Sequence, residues 1–574
     1  MDQSLQNALI SGVDRVAAWS DLLDDINVFP IADGDTGRNL IASLTPLRQL
    51  NGNCEQTIQQ LLMSARGNSG NIATRFFSGL LTADSAEILS KALRLGRDAA
   101  RKAVNDPVPG TMLTLFDALV EFVENEEFKS NQDYVERITK HLEKTVQSTP
   151  NLLPILKSAG VVDSGALGMY VFLEGFFHSL IDRADQCIPI TTRFKGMLQI
   201  KPSFKEQTEE GYCVDVVIKV DGNAEEKMKQ IALLGESTVI IPHNNFLKVH
   251  LHTKNPVQVR QKIEEMGQIV NWEDDDLAAQ IKSFKKTQKQ GKLHILTDAA
   301  GSLTRENSHE LGFSLLDSYI VTKDKSLPET LFSPKEIYEI MRRNQKISTS
   351  QASTYERHQS YQRVLEQYGR VLYLCVGSVF TGNYDVACNW KKQNDKDNRF
   401  IVLDTAAASG RLAVIVMATV RYAAETDDPS AVIEFAQKAM EKAEEYVFLD
   451  KLKYLAAGGR LSKSSAFFGD MLSMKPIVSP LAEGAKKVGI ARNQKAQLKF
   501  AFERLKKTLS KDSKALILLE YSDNRSWVES EPRNQIKKMF PAAEIILQPL
   551  SLTSGVHMGP GTWALAFIPQ FDRG

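Results

Sequence analysis

Two carboxylates flank a single glycine near the start of the chain, at Asp33 and Asp35 in the stretch N-V-F-P-I-A-D-G-D-T-G (27–37). Two acids this close repel each other, and a turn needs only one of them. A hard cation such as Mg²⁺ would remove that repulsion, because it binds carboxylate oxygens together with phosphate oxygens. The alternative is an Asp-Gly turn in which an acidic side chain caps a helix beginning near Thr36. This stretch by itself leaves both interpretations open.

Three further stretches of small residues follow, and each is predicted to lead from a turn into a helix. They are A-R-G-N-S-G-N (65–71), P-G-T-M-L-T (109–114) and G-V-V-D-S-G-A-L-G (160–168). Free backbone N–H groups and the positive end of a helix dipole favour phosphate at such positions. Each stretch alone is a weak signal. Together with the acid pair they predict a nucleotide pocket built from helix N-termini.

A second set of chemically capable side chains is formed by Cys213, His250 and His252. The histidines are two residues apart on a predicted strand, so both imidazoles project from the same face. Cys213 lies on another predicted strand that could be the neighbour. One thiolate and two imidazoles can bind zinc at about 2.0–2.3 Å, with a fourth position for water or another side chain. Spacing alone favours the simpler alternative, two surface histidines and a buried thiol.

Hydroxyl and imidazole groups follow several predicted strands in the last third of the chain. Such groups can hold a carboxylate without neutralising it fully. For any single residue, helix capping or a satisfied turn is the simpler explanation. The stretches are T-D-A-A-G-S-L (297–303), I-S-T-S-Q (347–351), V-G-S-V-F-T-G-N-Y (376–384), A-A-G-G-R-L-S (456–462) and H-M-G-P-G-T-W (557–563).

Three regions with different sequence patterns position these side chains. Residues 1–195 carry apolar residues at helical spacing and no convincing strand, which predicts an all-α domain. Residues 196–288 predict a small α+β domain. Residues 292–574 alternate short β-branched runs with helical ones, which predicts an α/β domain with at least one largely parallel sheet.

The predicted elements of the first region are helices at 2–25, 36–50, 55–64, 69–83, 85–104, 111–126, 132–148 and 165–182. Those of the middle region are strands at 211–220 and 246–253 and helices at 223–235 and 275–285. The predicted strands of the last region are 293–298, 370–376, 399–404, 514–520 and 543–548.

Length and composition exclude several classes of protein. A chain of 574 residues is too long to fold around a single hydrophobic core, so several domains are expected. Lys+Arg and Asp+Glu each total 70, so no net charge draws the chain to nucleic acid or an anionic membrane. Five scattered cysteines do not suggest a disulfide framework, and the N-terminus lacks the pattern of a secretory signal. We expect a cytoplasmic protein with no nucleic-acid partner and at most peripheral membrane contact.

The four N-terminal stretches together resemble the ATP-binding domain of bacterial fatty acid kinases. That domain is related to the nucleotide-binding component of dihydroxyacetone kinases, a barrel of helices, and the resemblance covers about residues 1–195. It implies that Asp33 and Asp35 hold Mg²⁺ on the phosphates of ATP. One departure is Ile31-Ala32, where the family has Val-Pro. The further cofactor-binding residues that it implies are Asn27, Thr36, Asn68, Ser69, Gly70, Thr111 and Met112.

The middle pattern G-Y-C…V-H-x-H-T is similar to the middle domain of the same kinases. The resemblance implies that Cys213, His250 and His252 bind zinc. We expect a structural role for this zinc, because no acid or base stands out beside the three residues in the sequence.

The last region resembles the DegV-type fatty-acid-binding proteins over about residues 292–574, with H-M-G-P-G-T-W as the most specific element. The family usually has Ser-Ser-Gly where this chain has Gly377-Ser378-Val379, and a serine where it has Ala299. The resemblance implies a site for a fatty acid carboxylate at Thr349, Ser350, Ser378 and His557, and two arginines that face the kinase and its phosphates, Arg460 and Arg492.

The expected function is that of a fatty acid kinase fused to its acyl-binding protein. Such an enzyme uses ATP and Mg²⁺ to convert a long-chain fatty acid to an acyl phosphate, which an acyltransferase consumes in phospholipid synthesis. A homodimer is compatible with this expectation. The alternatives are a C-terminal third that only docks a separate acyl-binding protein, and a lipid-binding regulator without kinase activity. A kinase for a small ketose would need a substrate-binding component with a covalent histidine, which we do not find.

Overall fold

The computed structural model describes residues 1–50, 53–83, 85, 88–126, 128–204, 211–277, 292–323, 325–457 and 474–570. The chain divides into two compact units, Met1–Lys285 and Lys286–Gly574. The helical region and the middle region of the sequence analysis both lie in the first unit.

The first unit begins with helices, and its described residues before 196 contain no strand apart from one isolated bridge at Val104. All eight helices predicted for this region are present, although several ends differ by a few residues. Two short helices, α8 and α10, were not predicted. The helices are α1 (Gln3–Asp25), α2 (Thr36–Leu44), α3 (Cys54–Ser64), α4 (Gly67–Leu80), α5 (Leu89–Ala103), α6 (Met112–Asn125), α7 (Gln132–Leu152), α8 (Pro154–Ala159), α9 (Ser164–Ser179) and α10 (Ile190–Arg193).

Helix α9 is the centre of this region, because every residue from 164 to 177 is buried. A helix that is apolar on all sides has to be surrounded by others. Helix α1 packs along it and contributes the apolar stripe that includes Leu5, Leu9 and Val13. The N-terminal end of α9 therefore meets the loop that follows α1, and this loop carries the acid pair.

A four-stranded antiparallel sheet completes the first unit, in the order β2-β3-β1-β4. Residues 275 and 276, predicted to begin a helix, are instead the end of β4, and the predicted helix from 278 lies outside the described residues. The elements are β1 (Tyr212–Lys219), α11 (Ala224–Ala232), β2 (Glu236–His243), β3 (Phe246–Thr253), α12 (Pro256–Met266) and β4 (Gln268–Asp276).

The two faces of this sheet carry different side chains. Along β1, Val214, Val216 and Ile218 belong to a core that α11 and α12 share. Because strand side chains alternate, Cys213 and Asp215 lie on the opposite face. In β3 the same alternation separates the apolar core residues from Lys248, His250 and His252. The second face of the sheet is therefore polar at its centre.

The described residues of the second unit form three sheets. The parallel sheet predicted from the sequence is present in the order β11-β10-β5-β6. The predicted strands β15 and β16 are also parallel, but they lie in a mixed six-stranded sheet of order β14-β13-β12-β17-β15-β16. A short antiparallel sheet has the order β8-β7-β9.

The strands of this unit are β5 (His294–Asp298), β6 (Ser314–Leu316), β7 (Tyr319–Val321), β8 (Ser326–Pro328), β9 (Ser348–Ser350), β10 (Val371–Cys375), β11 (Phe400–Asp404), β12 (Glu444–Phe448), β13 (Lys475–Leu481), β14 (Gly484–Ala491), β15 (Leu516–Tyr521), β16 (Glu544–Pro549) and β17 (Trp563–Ile568). Its helices are α13 (Arg305–Leu311), α14 (Pro334–Arg342), α15 (Thr354–Tyr368), α16 (Asn383–Asn394), α17 (Ser409–Ala423), α18 (Pro429–Lys442), α19 (Lys453–Ala457), α20 (Gln494–Thr508), α21 (Arg525–Val528), α22 (Asn534–Met539) and α23 (Leu552–Met558).

Helix α17 joins the two large sheets of the second unit. Its residues Leu412 and Val416 share one core with Ile295 of the parallel sheet and with Leu518 of the mixed sheet. The unit is thus layered around a buried helix, as expected for an α/β domain. Among the described residues of the whole chain, no helix combines the length and the apolarity that crossing a membrane requires.

Candidate active site

The loop after α1 is held in place by a buried carboxylate. Asp24 Oδ1 accepts a hydrogen bond from the backbone N–H of Gly37 at 2.6 Å, and its Oδ2 accepts one from Nε of Arg38 at 3.0 Å. The Arg38 guanidinium also donates to the carbonyl of Gly34. Gly34 has a φ of 63°, a conformation that suits a residue without a Cβ. The acid pair therefore stands on a braced turn.

Asp33 is buried and Asp35 is half-buried. Burial raises the pKa of Asp33 well above its usual range, and the neighbouring Asp35 raises it further. Nδ2 of Asn27 donates to Asp33 Oδ1 at 2.6 Å. Asp35 occupies the N-cap position of α2, yet among the described residues no backbone N–H donates to its side chain as a cap. Helix capping therefore does not account for Asp35, whereas a bound cation would relieve the repulsion between the two acids.

The same turn is tied to the start of α9 by hydroxyl groups. Oγ of Ser164 lies 3.3 Å from Asn27 Oδ1 and 3.1 Å from Oγ1 of Thr36. Asp163 caps α9 by accepting from the N–H of Ala166 at 2.7 Å, and burial raises its pKa to about 7. The predicted cofactor residues Asn27 and Thr36 thus belong to one network.

A cavity of about 260 Å³ lies between the three small-residue turns. The predicted nucleotide residues Asn68, Ser69, Thr111 and Met112 all line it. Asp163, which lies in the motif G-V-V-D-S-G-A-L-G but was not assigned a role from the sequence, also lines it. The signal for Asp163 was its position as a capping acid directly before a run of small residues.

Gly70 has a different role from its neighbours. It is buried behind Ser69, where a Cβ would overlap Oγ of Ser43 in α2. The residue allows α4 to approach α2 closely, and it is absent from the described walls of the cavity.

A second, smaller hollow of about 20 Å³ adjoins the cavity, because Phe29, Pro30, Asn68 and Ser69 line both. It contains the acid pair and the Cys-His-His group together. Its remaining lining residues are Asn27, Asp33, Asp35, Thr36, Gly67, Cys213, His250 and His252. No acid stands out beside Cys213, His250 and His252 in the sequence, but the fold brings Asp33 and Asp35 into the same hollow. The sequence-based reason for a purely structural zinc therefore does not hold, and its role stays a prediction.

The geometry of Cys213, His250 and His252 fits a metal ion. The β1–β3 pairing aligns Cys213 with His252, and one ligand atom from each of the three residues lies within 4.8 Å of the others. The Nε2 atom of His250 is buried and has no hydrogen-bond partner among the described residues. Burial lowers the pKa of His252 to about 3, which keeps the imidazole in the neutral form that metals bind. A soft cation such as Zn²⁺ suits this donor set.

A second group, Glu174, His178 and Cys187, has similar spacing at the other end of α9. Its carboxylate is already engaged by two guanidinium groups. Arg15 donates to Glu174 Oε2, and Nε of Arg193 lies 3.1 Å from Oε1. Two positive charges beside the only acid of the group disfavour a cation, so we do not assign a metal here.

In the second unit, Thr349 of β9 and His557 of α23 are in contact. Thr349 Oγ1 lies 3.2 Å from His557 Nε2. Ser378 is exposed, and its N–H donates to Asp404 Oδ1 at 3.0 Å. Ser350 is exposed and donates its hydroxyl to the carbonyl of Gln351 at 3.0 Å. The structure thus brings together two of the predicted carboxylate-binding residues directly.

The two predicted arginines of the second unit differ in how far they can be described. Arg492 is exposed at the end of β14. Arg460 lies outside the described residues.

Three family models match the chain in succession. A DAK2 domain matches residues 30–178, a FakA-like fatty acid kinase middle domain matches 209–284, and the DegV family of uncharacterised proteins matches 292–570. The chain is therefore a multidomain protein in which a kinase-type DAK2 domain and a DegV-family domain occur together.

Curated relatives match about half of the chain. An uncharacterised protein of Staphylococcus haemolyticus is 29% identical over 308 residues, which are 49% of this chain and 56% of the relative. One from Staphylococcus saprophyticus is 29% identical over 319 residues, which are 50% and 57%. The chain spans about half the length of these curated relatives.

Solved structures are similar to about half of the chain. A fatty-acid-binding DegV-family protein from Thermus thermophilus is 21% identical, with a TM-score of 0.45, 48% of this chain covered and 99% of that chain. DegV from Bacillus subtilis, described as a fatty acid binding protein, is 18% identical, with a TM-score of 0.45, 49% of this chain covered and 100% of that chain.

Proposed function

We propose that this protein phosphorylates the carboxylate of a long-chain fatty acid, with ATP as the phosphate donor, to give an acyl phosphate and ADP. The observation that carries the proposal is the pair of adjoining cavities in the first unit. One is lined by helix N-termini and suits a nucleotide, and the other holds two carboxylates at the position expected for the phosphates. The kinase-type and DegV-type domains in one chain support the choice of a fatty acid as acceptor.

In the nucleotide cavity, Thr111 and Met112 would lie beside the nucleoside, while Asn68 and Ser69 would donate to phosphate oxygens at the start of α4. Asp33 and Asp35 would hold Mg²⁺, which supplies neutralisation of the phosphate charge when bound. Asn27 and Thr36 would keep Asp33 and the turn in position through the hydrogen bonds described above.

The reaction needs no general base. A fatty acid carboxylate is already ionised at neutral pH. One of its oxygens attacks the γ-phosphorus, the bond between that phosphorus and the bridging oxygen breaks, and the electron pair leaves with ADP. Catalysis then rests on positioning and on stabilisation of charge in the transition state. The DegV-family domain would supply the positioning, with Thr349, Ser378 and His557 fixing the carboxylate and Ser350 in support.

The wider role also belongs to this proposal. Arg460 and Arg492 are the candidates for neutralising phosphate charge from the acceptor side. The acyl phosphate would be consumed by an acyltransferase in phospholipid synthesis in the cytoplasm. A homodimer is compatible with this role, and a zinc ion at Cys213, His250 and His252 would complete the cofactors.

The test is phosphate transfer from labelled ATP to oleate or palmitate by the purified chain with Mg²⁺, and hydroxylamine trapping identifies the acyl phosphate. An Asp35→Asn variant and a Ser378→Ala, His557→Ala double variant should both lose transfer. Ser510→Ala, at an exposed serine elsewhere in the second unit, is the matched control and should retain it.

Two results would overturn the proposal as stated. Transfer that appears only when a separate fatty-acid-binding protein is added would make residues 292–574 a docking domain. Lipid binding without transfer under either condition would leave a regulatory lipid-binding protein.

A further inference from the structure

We propose that Asp215 is a positioning residue that couples the Cys213–His250–His252 group to the phosphate turn at 65–71, so that metal and nucleotide strengthen each other's binding. This inference rests on the proposed function, because it assumes that the turn binds ATP phosphates. Asp215 was not singled out from the sequence, since a single acid on a strand carries no motif.

One side of the Asp215 carboxylate holds the phosphate turn. Oδ2 accepts a hydrogen bond from the backbone N–H of Gly67 at 3.1 Å, and Oδ1 accepts one from Nδ2 of Asn71 at 3.2 Å. Asn71 also donates to the carbonyl of Gly67 at 2.7 Å. Gly67 has a φ of 58° and begins α4. The carboxylate therefore binds both ends of the first turn of the helix that presents Asn68 and Ser69.

The same carboxylate holds the candidate metal group. Nδ1 of His250 lies 3.2 Å from Asp215 Oδ2, and Nζ of Lys248 lies 3.1 Å from Oδ1. Nδ1 also lies 3.8 Å from Sγ of Cys213, and the buried Nε2 atom has no partner among the described residues. With Nδ1 held by the carboxylate, we assign Nε2 as the metal-binding nitrogen. Ligating histidines commonly donate their other N–H to a carboxylate, which fixes the orientation of the ring.

The Asp215 carboxylate is buried and shared between two elements. It faces four donor groups, two on the helical side and two on β3. A shift of His250 changes the position of the carboxylate, and the carboxylate carries that change to Gly67 and Asn71.

Thermodynamic linkage makes the effect reciprocal. If Zn²⁺ fixes His250 and so orders the turn, a nucleotide must strengthen Zn²⁺ binding by the same factor. Typical coupling factors lie between about 5 and 150, and we expect about tenfold here. A residue that only stabilises the fold would leave the two affinities independent.

The experiment measures binding without turnover, on the full chain. Zn²⁺ affinity is obtained by competition with a chromophoric chelator, with and without Mg²⁺ and a non-hydrolysable ATP analogue. The affinity for the analogue is measured on zinc-loaded and zinc-free protein. The expected result is an equal, roughly tenfold gain in both directions, falling to about onefold in Asp215→Asn.

The matched control is Asp221→Asn, at an exposed acid two residues beyond the end of β1, where no described hydrogen bond or ion pair joins its side chain to the turn or to the metal group. It should retain the coupling factor within about twofold. Asn71→Ala removes one link on the helical side and should lower the factor without removing a ligand. Because the wild-type comparison is complete by itself, a variant that fails to fold does not end the test.

The outcomes separate this inference from the proposed function. Nucleotide and Zn²⁺ that both bind, with affinities independent of each other, would overturn the coupling while leaving the kinase proposal standing. A chain that binds Zn²⁺ but no ATP analogue would overturn the kinase proposal itself. If Zn²⁺ and the nucleotide analogue still strengthen each other's binding in Asp215→Asn, this residue does not carry the coupling.

Discussion

Each unit of the molecule contains a pair of neighbouring carboxylates. The repulsion between the two acids is relieved in a different way in each pair. Asp33 and Asp35 lie beside the candidate nucleotide cavity, whereas Glu445 and Glu520 lie in the core of the second unit. Burial raises the pKa of Asp33 well above its usual range, that of Glu445 to about 7 and that of Glu520 well above its usual range. A raised pKa therefore does not tell the two pairs apart.

The glutamate pair is enclosed and can be satisfied by a proton. Glu445 of β12 and Glu520 of β15 flank β17 and face helix α17. The hydroxyl of Ser409 and the N–H of Arg411 donate to Glu445, the N–H at 2.8 Å. The Ser302 hydroxyl and the N–H of Gly410 interact with Glu520, but burial and the neighbouring Glu445 raise its pKa well above its usual range. We therefore assign the neutral form to Glu520, whose O–H can donate to the Glu445 carboxylate.

The aspartate pair opens into a hollow that contains further metal-binding atoms. Asp35 is half-buried, and the hollow also holds Cys213, His250 and His252. A proton would reduce the repulsion here too, but the opening allows a cation to do so. The difference between the two pairs shows that the groups around two acids identify a candidate site. Burial alone shows only that the ionised form of an acid is unfavourable.

The largest difference between the two pairs should appear in catalysis. Asp35→Asn removes a proposed Mg²⁺ ligand, so phosphate transfer should fall on the order of 10²- to 10³-fold, as for loss of one strong electrostatic contact in a transition state. Glu520→Gln is the control from the other pair and should change the transfer rate less than about threefold. An equal loss of phosphate transfer in both variants would mean that the aspartate pair has no specific role in the active site.

The pH dependence of stability should depend on the glutamate pair. Both folded pKa values are raised above the unfolded value of about 4.5. The stability from this pair is therefore fully present below about pH 4.5 and is lost as the pH rises through 7. A rise of Glu445 to about 7 corresponds to about 3 kcal/mol.

Glu520→Gln removes the titration of Glu520, so the share of the pH dependence that comes from Glu520 should disappear, whereas the share from the buried Glu445 should remain. Thermal unfolding of the full chain at pH 5, 6.5 and 8 measures it as the difference between wild type and variant. A difference that stays constant with pH would contradict the assignment of a neutral acid at Glu520.

The close packing around the glutamate pair predicts a smaller loss of stability when a side chain is added at the neighbouring Gly410. A Cβ at Gly410 would overlap Oε2 of Glu520 and approach Ala566. Gly410→Ala should therefore cost about 1–3 kcal/mol of unfolding free energy by overpacking. Gly382→Ala is the control, because its nearest neighbours are 3.7 Å away and its φ is −82°. Denaturant titration of both variants compares the two sites, and equal costs would contradict overpacking as the cause.

The periodicity of apolar residues was enough to predict the helices of the first unit, because each buries one continuous face. It failed for β2 and β4. Strand β2 is buried on both faces over 238–241, so it shows no alternation, and β4 is a sheet edge whose exposed acids resemble a loop or a helix. Strand signals are weakest where both faces are covered or where one edge meets water.

The candidate site was only partly predictable for a different reason. Local turn chemistry was enough to single out Asp33, Asp35 and the turn at 65–71. The contact of Asp215 with Gly67 joins residues 148 apart in sequence, and no local pattern encodes the packing of a sheet against a helix N-terminus. The proximity of Cys213, His250 and His252 to the acid pair was not predicted for the same reason.

The smallest effect concerns the aspartate pair without its cation. At neutral pH the raised pKa of Asp33 means that its ionised form opposes folding, so Asp33→Asn should stabilise the metal-free chain, by about 1 kcal/mol, the size of one buried polar interaction. Asn27 can still donate to the remaining oxygen, which keeps the turn in place.

With Mg²⁺ and an ATP analogue, wild type should become more stable than Asp33→Asn. A ligand at 100 times its Kd stabilises wild type by about 2.7 kcal/mol and the variant far less. Glu520→Gln should show no such reversal, since no cation enters the glutamate pair. Thermal midpoints of wild type and both variants, with and without Mg²⁺ and analogue, measure the reversal directly. If Asp33→Asn is less stable than wild type in both conditions, the aspartate pair is part of the scaffold, and the hollow has to be explained without a cation.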